Sequence, residues 1–394
     1  VHEDTLFPEW TPLRRFLTVV ETDMSFEVEE RLDGGTYEIY SLEDLLRIGV
    51  EWPLNGEYRL MNDVDASATA ALDGGDGFMA IGTVGNGNGF TGKFLGMGHT
   101  ISNLVMHRED ESHVGLFRIL GEGGAVDNLH LVNASIAGGF TVGGIAASTR
   151  NTSRISRCSV SGTVVGEENI GGIVGCLDGA AVRCFNSATL NCLELGQNMG
   201  FHAGGIAGLV IYGGLVRECA SIGSVTGYSY VGGIVGEVSC GSVLNCYSRG
   251  NIAVSFQYGG GVIGGTYGDN IVSMCYSTGT VSGSYSGGIA GYSDSYEIDS
   301  CLWDIQTSGI AQGIGYNHEA FVFDFGMTTA QMMRQDSYTS WLVAQGCGAW
   351  DFSNCWEMEE GVSYPSLRHL SAIGMEGAYE DQDFVPQRYS GGTG

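Results

Sequence analysis

The middle of the chain repeats one pattern of small, apolar and polar positions. A Gly-Gly pair followed by Ile or Val and then by small or aliphatic residues recurs six times, at intervals of 28, 33, 28, 28 and 27 residues. The pairs begin at Gly143, Gly171, Gly204, Gly232, Gly260 and Gly287, and residues 114–117 form a degenerate first copy. A fixed period of this length predicts a repeat architecture in which each unit packs on the next.

A second marker, a cysteine, runs in phase with the glycine pairs. It follows each pair by 13 to 15 residues, at Cys158, Cys184, Cys219, Cys246, Cys275 and Cys301. In most units an aliphatic residue stands three positions before the cysteine, a small one four after it, and another aliphatic one six after it. Each unit therefore holds about three short β-prone stretches, which predicts one coil of a parallel β-helix and an all-β fold.

Stacking explains the residue types of the coil. Parallel coils lie about 4.8 Å apart, so each inward position forms a column of like side chains along the axis. We expect Gly-Gly where φ is positive or where a neighbour approaches closely. An offset of three cannot turn both the aliphatic residue and the cysteine inward on one flat strand, so we expect a corner or bulge between them.

The flanks lack the repeat and divide the chain further. Ser41 opens one short helix and Thr328 another, which gives capping helices at both ends of the solenoid. Caps block the exposed strand edges of a solenoid. We predict an N-terminal extension with a candidate donor strand, an N-terminal cap with the first coils, the β-helix repeats, a C-terminal cap and a tail: residues 1–36, 37–113, 114–301, 302–370 and 371–394.

Composition and charge narrow the class of protein. The 65 glycines and 5 prolines fit a glycine-punctuated β architecture. With 45 acidic against 17 basic residues the net charge is −28, so we predict no nucleic-acid partner, since phosphate binding needs clustered Lys and Arg. No stretch of 18 apolar residues occurs, so no membrane insertion is predicted. Eleven cysteines and a single lysine, with the repeat type, favour a secreted or cell-surface location.

These residues resemble the GLUG-motif repeat family of bacterial adhesins and filamentous-haemagglutinin-like β-helix proteins. The resemblance covers roughly residues 37–370. It rests on GFTGKFLGMGHTISNL, the GLF copy, the Gly-Gly-Ile coils, NCYS, MCYSTG, LWDIQTSG, GMTTAQM, WDF and EGVSYPSL. It implies a right-handed parallel β-helix exported to the cell surface, with adhesive or architectural use and no catalytic residues to transfer. The N-terminal extension and residues 309–325 depart from the pattern.

Few residues carry recognisable chemistry. The acids of the coils are sparse, and zinc, nucleophile-elbow and phosphate-loop motifs are absent from the sequence, so we predict no catalytic residues, no enzyme activity and no cofactor. The acidic turns are candidate calcium sites. The alternative is that these turns are simply exposed to solvent. The candidate ligands are Asp63, Asp65, Asp73 and Asp76.

Cysteines and aromatic residues are the sharper candidates. The cysteine column is interpreted as a buried ladder of thiols, with disulfides between adjacent coils as the alternative, and Cys347 and Cys355 as a candidate bridge. An outward stripe with His202 at its start is a candidate binding platform for surface glycans or another subunit; a cross-strand ladder is the alternative. The stripe residues are Tyr228, Tyr230, Phe256, Tyr258 and Tyr285.

The sequence therefore predicts an extracellular structural protein, either a self-assembling surface or filament subunit or an adhesin. Head-to-tail self-association is the expected partnership, with the β-prone run 16–28 as the candidate donor strand; the alternative is that this run folds back along its own solenoid. Two alternatives stay open: a carbohydrate-binding or carbohydrate-active β-helix, and the non-catalytic part of a larger secreted enzyme.

Overall fold

A computed structural model describes residues 34–82, 89–193, 201–294, 298–317 and 325–372, all within one compact unit. It is nearly all β, with parallel strands stacked as a β-solenoid of about eight turns and few helices, so the predicted fold class is confirmed. The predicted donor strand, residues 16–28, lies outside the described residues.

The described strands form three parallel sheets that run the length of the solenoid. Sheet 1 contains, in stacking order, Thr36–Ile39, Glu57–Leu60, Lys93–Leu95, Ala125–Asp127, Arg154–Ser156, Ala180–Val182, Leu215–Arg217, Ser242–Leu244, Ile271–Ser273 and Ile298–Asp299. Sheet 3 contains Phe117–Leu120, Ala146–Thr149, Val174–Leu177, Ala207–Ile211, Val235–Ser239, Ile263–Tyr267, Ala290–Ser293 and Ile314–Asn317.

Sheet 2 lies between them along each coil, and one of its strands ends at the first glycine of each pair. Its strands are Val64–Asp65, Thr100–Ser102, Val105–Arg108, His113–Val114, His130–Gly138, Thr141–Gly143, Ser159–Gly166, Asn169–Gly171, Phe185–Asn186, Thr189–Cys192, His202–Gly204, Ala220–Ser221, Val225–Gly232, Tyr247–Ser248, Ile252–Gly260, Tyr276–Ser277, Val281–Ser282, Ser286–Gly287, Leu302–Asp304 and Gly326–Met327. One short antiparallel pair, Trp356–Glu357 with Ser366–Leu367, stands apart.

Both predicted helices are present and capped as expected. The Ser41 hydroxyl accepts from Asp44 N at 3.3 Å at the start of the first helix. Thr328 and Gln331 form a capping box at the start of another. The α-helices are α1 (Leu42–Leu46), α2 (Ile305–Ser308), α3 (Thr329–Met332), α4 (Gln335–Tyr338), α5 (Ser340–Ala344) and α6 (Arg368–Ala372), and a 3₁₀ segment spans Ser67–Gly75.

A left-handed residue makes the corner expected before each cysteine. Both Val243 and Cys246 are fully buried, and Asn245 between them has a φ of +52°. The equivalent residues have the same backbone conformation: Arg157, Arg183, Glu218, Met274 and Ser300. This turn changes the direction of the chain, so that side chains three positions apart both enter the core.

The glycine pairs are required because there is no room for a Cβ at their positions. None of the twelve glycines has a positive φ. A Cβ on the first glycine of a pair would lie far inside van der Waals contact with the carbonyl oxygen three residues on, as at Gly232 against Val235. A Cβ on the second would collide with a side chain that follows the cysteine, as at Gly233 against the Ser248 hydroxyl. Close approach is therefore the reason for the repeat.

The aromatic part of the C-terminal segment lies against the flank of the coils. Outward residues that directly follow the column cysteines, such as Tyr247 and Tyr276, are buried beneath Trp350 and Trp356. The indole of Trp356 donates to Asn245 Oδ1 at 3.3 Å, and that of Trp350 donates to Ser300 O at 2.9 Å. This segment therefore joins several coils from outside.

Helix α6 ends this segment with a histidine in an apolar setting. Burial lowers the pKa of His369 to about 4, and its Nε2 atom is buried without a hydrogen-bond partner in the described structure. The neighbouring charges, Glu218 and Arg183, have opposite effects on this pKa. The folded protein therefore favours the neutral imidazole.

We predict that replacing Gly232 by Ala lowers the free energy of unfolding by a few kcal/mol, because the backbone must move to relieve the collision. Gly348→Ala is the matched control, since its Cβ would meet the flexible end of Met274 at 3.2 Å and its φ is ordinary. Chemical denaturation followed by circular dichroism measures both. Equal midpoints for the two variants would contradict the close-packed turn.

We also predict a histidine-dependent loss of stability in acid. Because the folded pKa of His369 lies below the ordinary value of 6.5, the unfolded chain takes up its proton first as the pH falls from 6.5 to about 4. Full titration of this group costs roughly 3 kcal/mol at 1.36 kcal/mol per pKa unit. Urea unfolding at pH 7 and pH 4.5 should show a smaller loss for His369→Gln than for the native chain; parallel losses would rule this out.

A two-row tyrosine ladder as the candidate functional site

The first row of the ladder consists of the residues two positions before the glycine pairs. The paired strands of sheet 2 place His202, Tyr230, Tyr258 and Tyr285 on successive coils. Their ring centroids follow one another at 5.5, 4.8 and 5.6 Å. The predicted stripe is thus a contiguous row of rings.

Its other two members, Tyr228 and Phe256, form a separate stack, with centroids 4.9 Å apart and planes at 15°. Phe201 packs edge-on against Tyr228 at 5.3 Å. Phe256 is 45% exposed.

A second row, from sheet 3, was not predicted. Tyr267, Tyr292 and Tyr316 follow one another at 4.8 and 5.9 Å, with nearly parallel planes. The dipeptides Gly291-Tyr292 and Gly315-Tyr316 were a weak signal of it in the sequence. We name the two rows together, His202, Tyr230, Tyr258, Tyr285, Tyr267, Tyr292 and Tyr316, the tyrosine ladder.

The rows meet edge to face across neighbouring coils. Tyr258 lies 5.3 Å from Tyr292 at 66°, and Tyr285 lies 5.4 Å from Tyr316 at 77°. Such T-shaped pairs are favourable because the electropositive ring edge meets the electronegative face.

A glycine makes room for one ring of the first row. Gly265 takes the place in sheet 3 that Tyr292 holds one coil further on, and a Cβ there would meet the ring of Tyr230 at 2.8 Å. The hydroxyl groups of Tyr230 and Tyr267 hydrogen-bond to each other.

This geometry decides what the ladder presents to solvent. Within each row the rings cover one another's faces, so the ring edges and hydroxyl groups point outward. The ladder interpretation therefore accounts for the packing, and a platform of open ring faces does not describe the inner rings. Exposure is largest at the last member of each row, since Tyr285 and Tyr316 are 37% and 43% exposed.

The ladder begins at a polar cluster. His202 Nδ1 lies 2.8 Å from Asn169 Oδ1, and its Nε2 lies 3.0 Å from Glu237 Oε2. The two hydrogen bonds hold the imidazole between adjacent coils. All three side chains are mostly or partly buried.

Two ladder tyrosines have an unusual backbone. Tyr230 and Tyr258 have φ values of +50° and +63°, a region in which a bulky residue is rare and costs energy. Burial raises the pKa of both phenols and of Tyr292. The hydroxyl groups are thus neutral donors and acceptors at physiological pH.

The six column cysteines line one inner edge of the coils. All are buried as free thiols. Backbone N–H groups of Cys184, Cys219 and Cys246 donate to the sulfur of the next coil at 3.3 to 3.4 Å. Burial raises the thiol pKa well above its usual value at the first five positions of the column.

The candidate bridge between Cys347 and Cys355 is wrong for this structure. Both are free thiols. The pKa of Cys347 rises to about 11, through burial and then a hydrogen bond to Asp299, whereas burial and then Glu218 raise that of Cys355 to about 12. Glu218 and Asp299 lie three coils apart along the cysteine column, so the two thiols lie near different coils in this structure.

Three of the four candidate calcium ligands are engaged by protein groups. Asp63 accepts from Thr100 N at 2.9 Å, and Asp65 accepts from Asn103 Nδ2 at 3.0 Å; these hydrogen bonds lower both pKa values. Asp73 pairs with the buried Arg108 at 2.8 Å, and Asp76 is exposed. Within the described ranges, no three His, Cys, Asp or Glu side chains come together as a metal site.

Comparison with known proteins supports the fold and gives partial relatives. No protein-family model matches the chain. Halomucin from Haloquadratum walsbyi is 40% identical over 159 residues, which is 39% of this chain and 2% of that protein. A "Putative Gly-rich membrane protein" from Evansella cellulosilytica is 41% identical over 75 residues, 19% of this chain and 8% of that protein. The chain thus spans a small fraction of both relatives.

Among solved structures, a "putative immunoglobulin A1 protease" from Bacteroides ovatus superposes with a TM-score of 0.51 at 19% identity. The match covers 84% of this chain and 91% of that one. At this identity the likeness shows a shared β-solenoid fold. Over the described residues, no helix is long and apolar enough to cross a membrane.

Iodoacetamide labelling should distinguish thiols by burial. We expect the exposed Cys240 to react first in the native protein and the six column cysteines to react only after unfolding, because a buried neutral thiol is neither accessible nor nucleophilic. Mass spectrometry counts the modified sites. In denaturant without reductant all eleven should be labelled; a site that needs reductant would reveal a disulfide.

Proposed function

We propose that this chain is a structural, non-enzymatic part of a secreted or cell-surface protein, in which the β-solenoid serves as a scaffold. The observation that carries the proposal is how the coils use their ionisable side chains. Arg183 pairs with Glu218 at 2.7 Å, and His202 with Glu237 at 3.0 Å. Each pair joins neighbouring coils, so these groups hold the stack in register.

The comparisons support the location. Similarity to a protein named halomucin suggests a surface or secreted protein. Because the chain corresponds to 2% of halomucin's length, a role as one segment of a large surface protein follows naturally. In this proposal the scaffold serves in adhesion or in filament assembly.

A specific observation favours each of two other functions. The tyrosine ladder favours binding of carbohydrate, since aligned hydroxyl groups suit a repeating polar polymer. The structural neighbour named for an immunoglobulin A1 protease favours the non-catalytic part of a larger secreted enzyme. Both are compatible with a scaffold role for this chain.

Self-association should depend on the N-terminal extension. An extended strand from residues 16–28 can add to an exposed coil edge of another copy, and repeated head-to-tail addition without closure gives a filament. We expect the intact chain to form long assemblies by electron microscopy, and a chain lacking residues 1–28 to sediment as monomers with an unchanged β-rich spectrum.

Removal of the tail, residues 373–394, is the matched control for that deletion and should leave the assemblies intact. Long assemblies from the chain without residues 1–28 would eliminate the donor strand. Monomers from the intact chain, or turnover of a polysaccharide or peptide by it, would count against the structural role.

A further inference from the structure

Four tyrosines of the ladder have hydroxyl groups without a hydrogen-bond partner among the described residues. They are Tyr258, Tyr285, Tyr292 and Tyr316, and none of these hydroxyl groups is sealed from solvent. Tyr230 and Tyr267, by contrast, satisfy each other. The last three coils therefore present two parallel lines of free phenol hydroxyls.

The spacing of these lines suits some polymers better than others. Successive rings are 5.6 Å apart in one row and 5.9 Å in the other. In an extended peptide, side chains on one face recur every ~6.8 Å, which is farther apart than these rings. An extended β-1,4-linked glycan advances by about one coil spacing per sugar. Successive sugars are flipped, but each carries hydroxyl groups on both edges, so every sugar along one edge of the polymer can meet a tyrosine hydroxyl.

The negative charge of the protein favours a neutral glycan over an anionic one. The net charge of the chain is −28, and Glu237 stands at the start of the ladder. Where arginine lies over aromatic rings in the described structure, it does so at Trp52, Tyr247, Tyr276 and Tyr364, all outside the ladder. An anionic polymer would meet repulsion without a compensating cation. A neutral glycan meets only hydroxyl groups and ring edges.

We propose that the tyrosine ladder binds a neutral, linear, β-1,4-linked polysaccharide lying along the solenoid axis, through the hydroxyl groups of Tyr258, Tyr285, Tyr292 and Tyr316. The inference deepens the proposed function and rests on it only in requiring that this face be exposed outside the cell. The ligand is recognised by hydrogen bonds to successive sugars, and the inner rings keep these donors rigid by stacking.

The test uses the full chain with cellohexaose and chitohexaose as neutral probes and oligogalacturonate as the anionic one. Isothermal titration calorimetry should detect the neutral probes and give weaker or no binding of the anionic one. The triple variant Tyr258→Phe, Tyr285→Phe, Tyr316→Phe keeps every ring and removes three hydroxyl groups. We expect at least a tenfold loss of affinity, since each lost hydrogen bond weakens binding severalfold.

Tyr212→Phe is the matched control. Tyr212 is 80% exposed and also has a positive φ, but it lies outside the ladder, so this variant should bind as the native chain does. Unchanged melting temperatures establish that the triple variant is folded. No binding of either neutral probe, full affinity in the triple variant, or equal binding of oligogalacturonate would each overturn the proposal.

Two further readouts separate this inference from the scaffold role. If the triple variant loses self-association in sedimentation without glycan, the ladder is a protein contact and the glycan proposal fails. If neutral probes are cleaved, as mass spectrometry would show, the non-enzymatic function fails although the ladder still binds them.

Discussion

The close approach of one coil to the next governs this molecule. Parallel strands in a solenoid lie at a fixed spacing, so each inward residue meets its own equivalent one coil away. The glycine pairs set the tightest of these contacts: a Cβ at Gly204 would lie 2.5 Å from Gly236 N of the next coil, and one at Gly205 would lie still closer to the Gly233 carbonyl oxygen. The turn therefore tolerates only glycine, and the interval between pairs fixes the length of a coil.

The interior follows from that spacing. Valine, isoleucine and cysteine fill columns whose members are alike because they share one environment on every coil. The buried thiols continue the column with a small apolar group, and their sulfur atoms accept N–H groups of the preceding coil at Cys184, Cys219 and Cys246. Left-handed residues before the cysteines turn the strand without breaking the column.

The same repetition shapes the outside. A tyrosine placed once per coil stacks on its equivalent, and two such rows meet edge to face at Tyr258 and Tyr292. Because stacking covers the ring faces, the hydroxyl groups are the groups of this surface that can contact a ligand. On another flank the C-terminal segment covers the equivalent outward rings, Tyr247 and Tyr276, with Trp350 and Trp356. One flank is thus covered by the chain itself, whereas no described segment covers the ladder.

The sequence alone determined the solenoid, its coil boundaries, the cysteine column, the first aromatic row and the capped helices at Ser41 and Thr328, because each depends on a period or a local motif. Only the tertiary structure decided the rest. The second row at Tyr267, Tyr292 and Tyr316, the separation of Cys347 from Cys355, and the flank position of Trp356 depend on which coils lie side by side. Such contacts join residues far apart in sequence, and the direction of each side chain across a corner is set by backbone turns that no periodic pattern specifies.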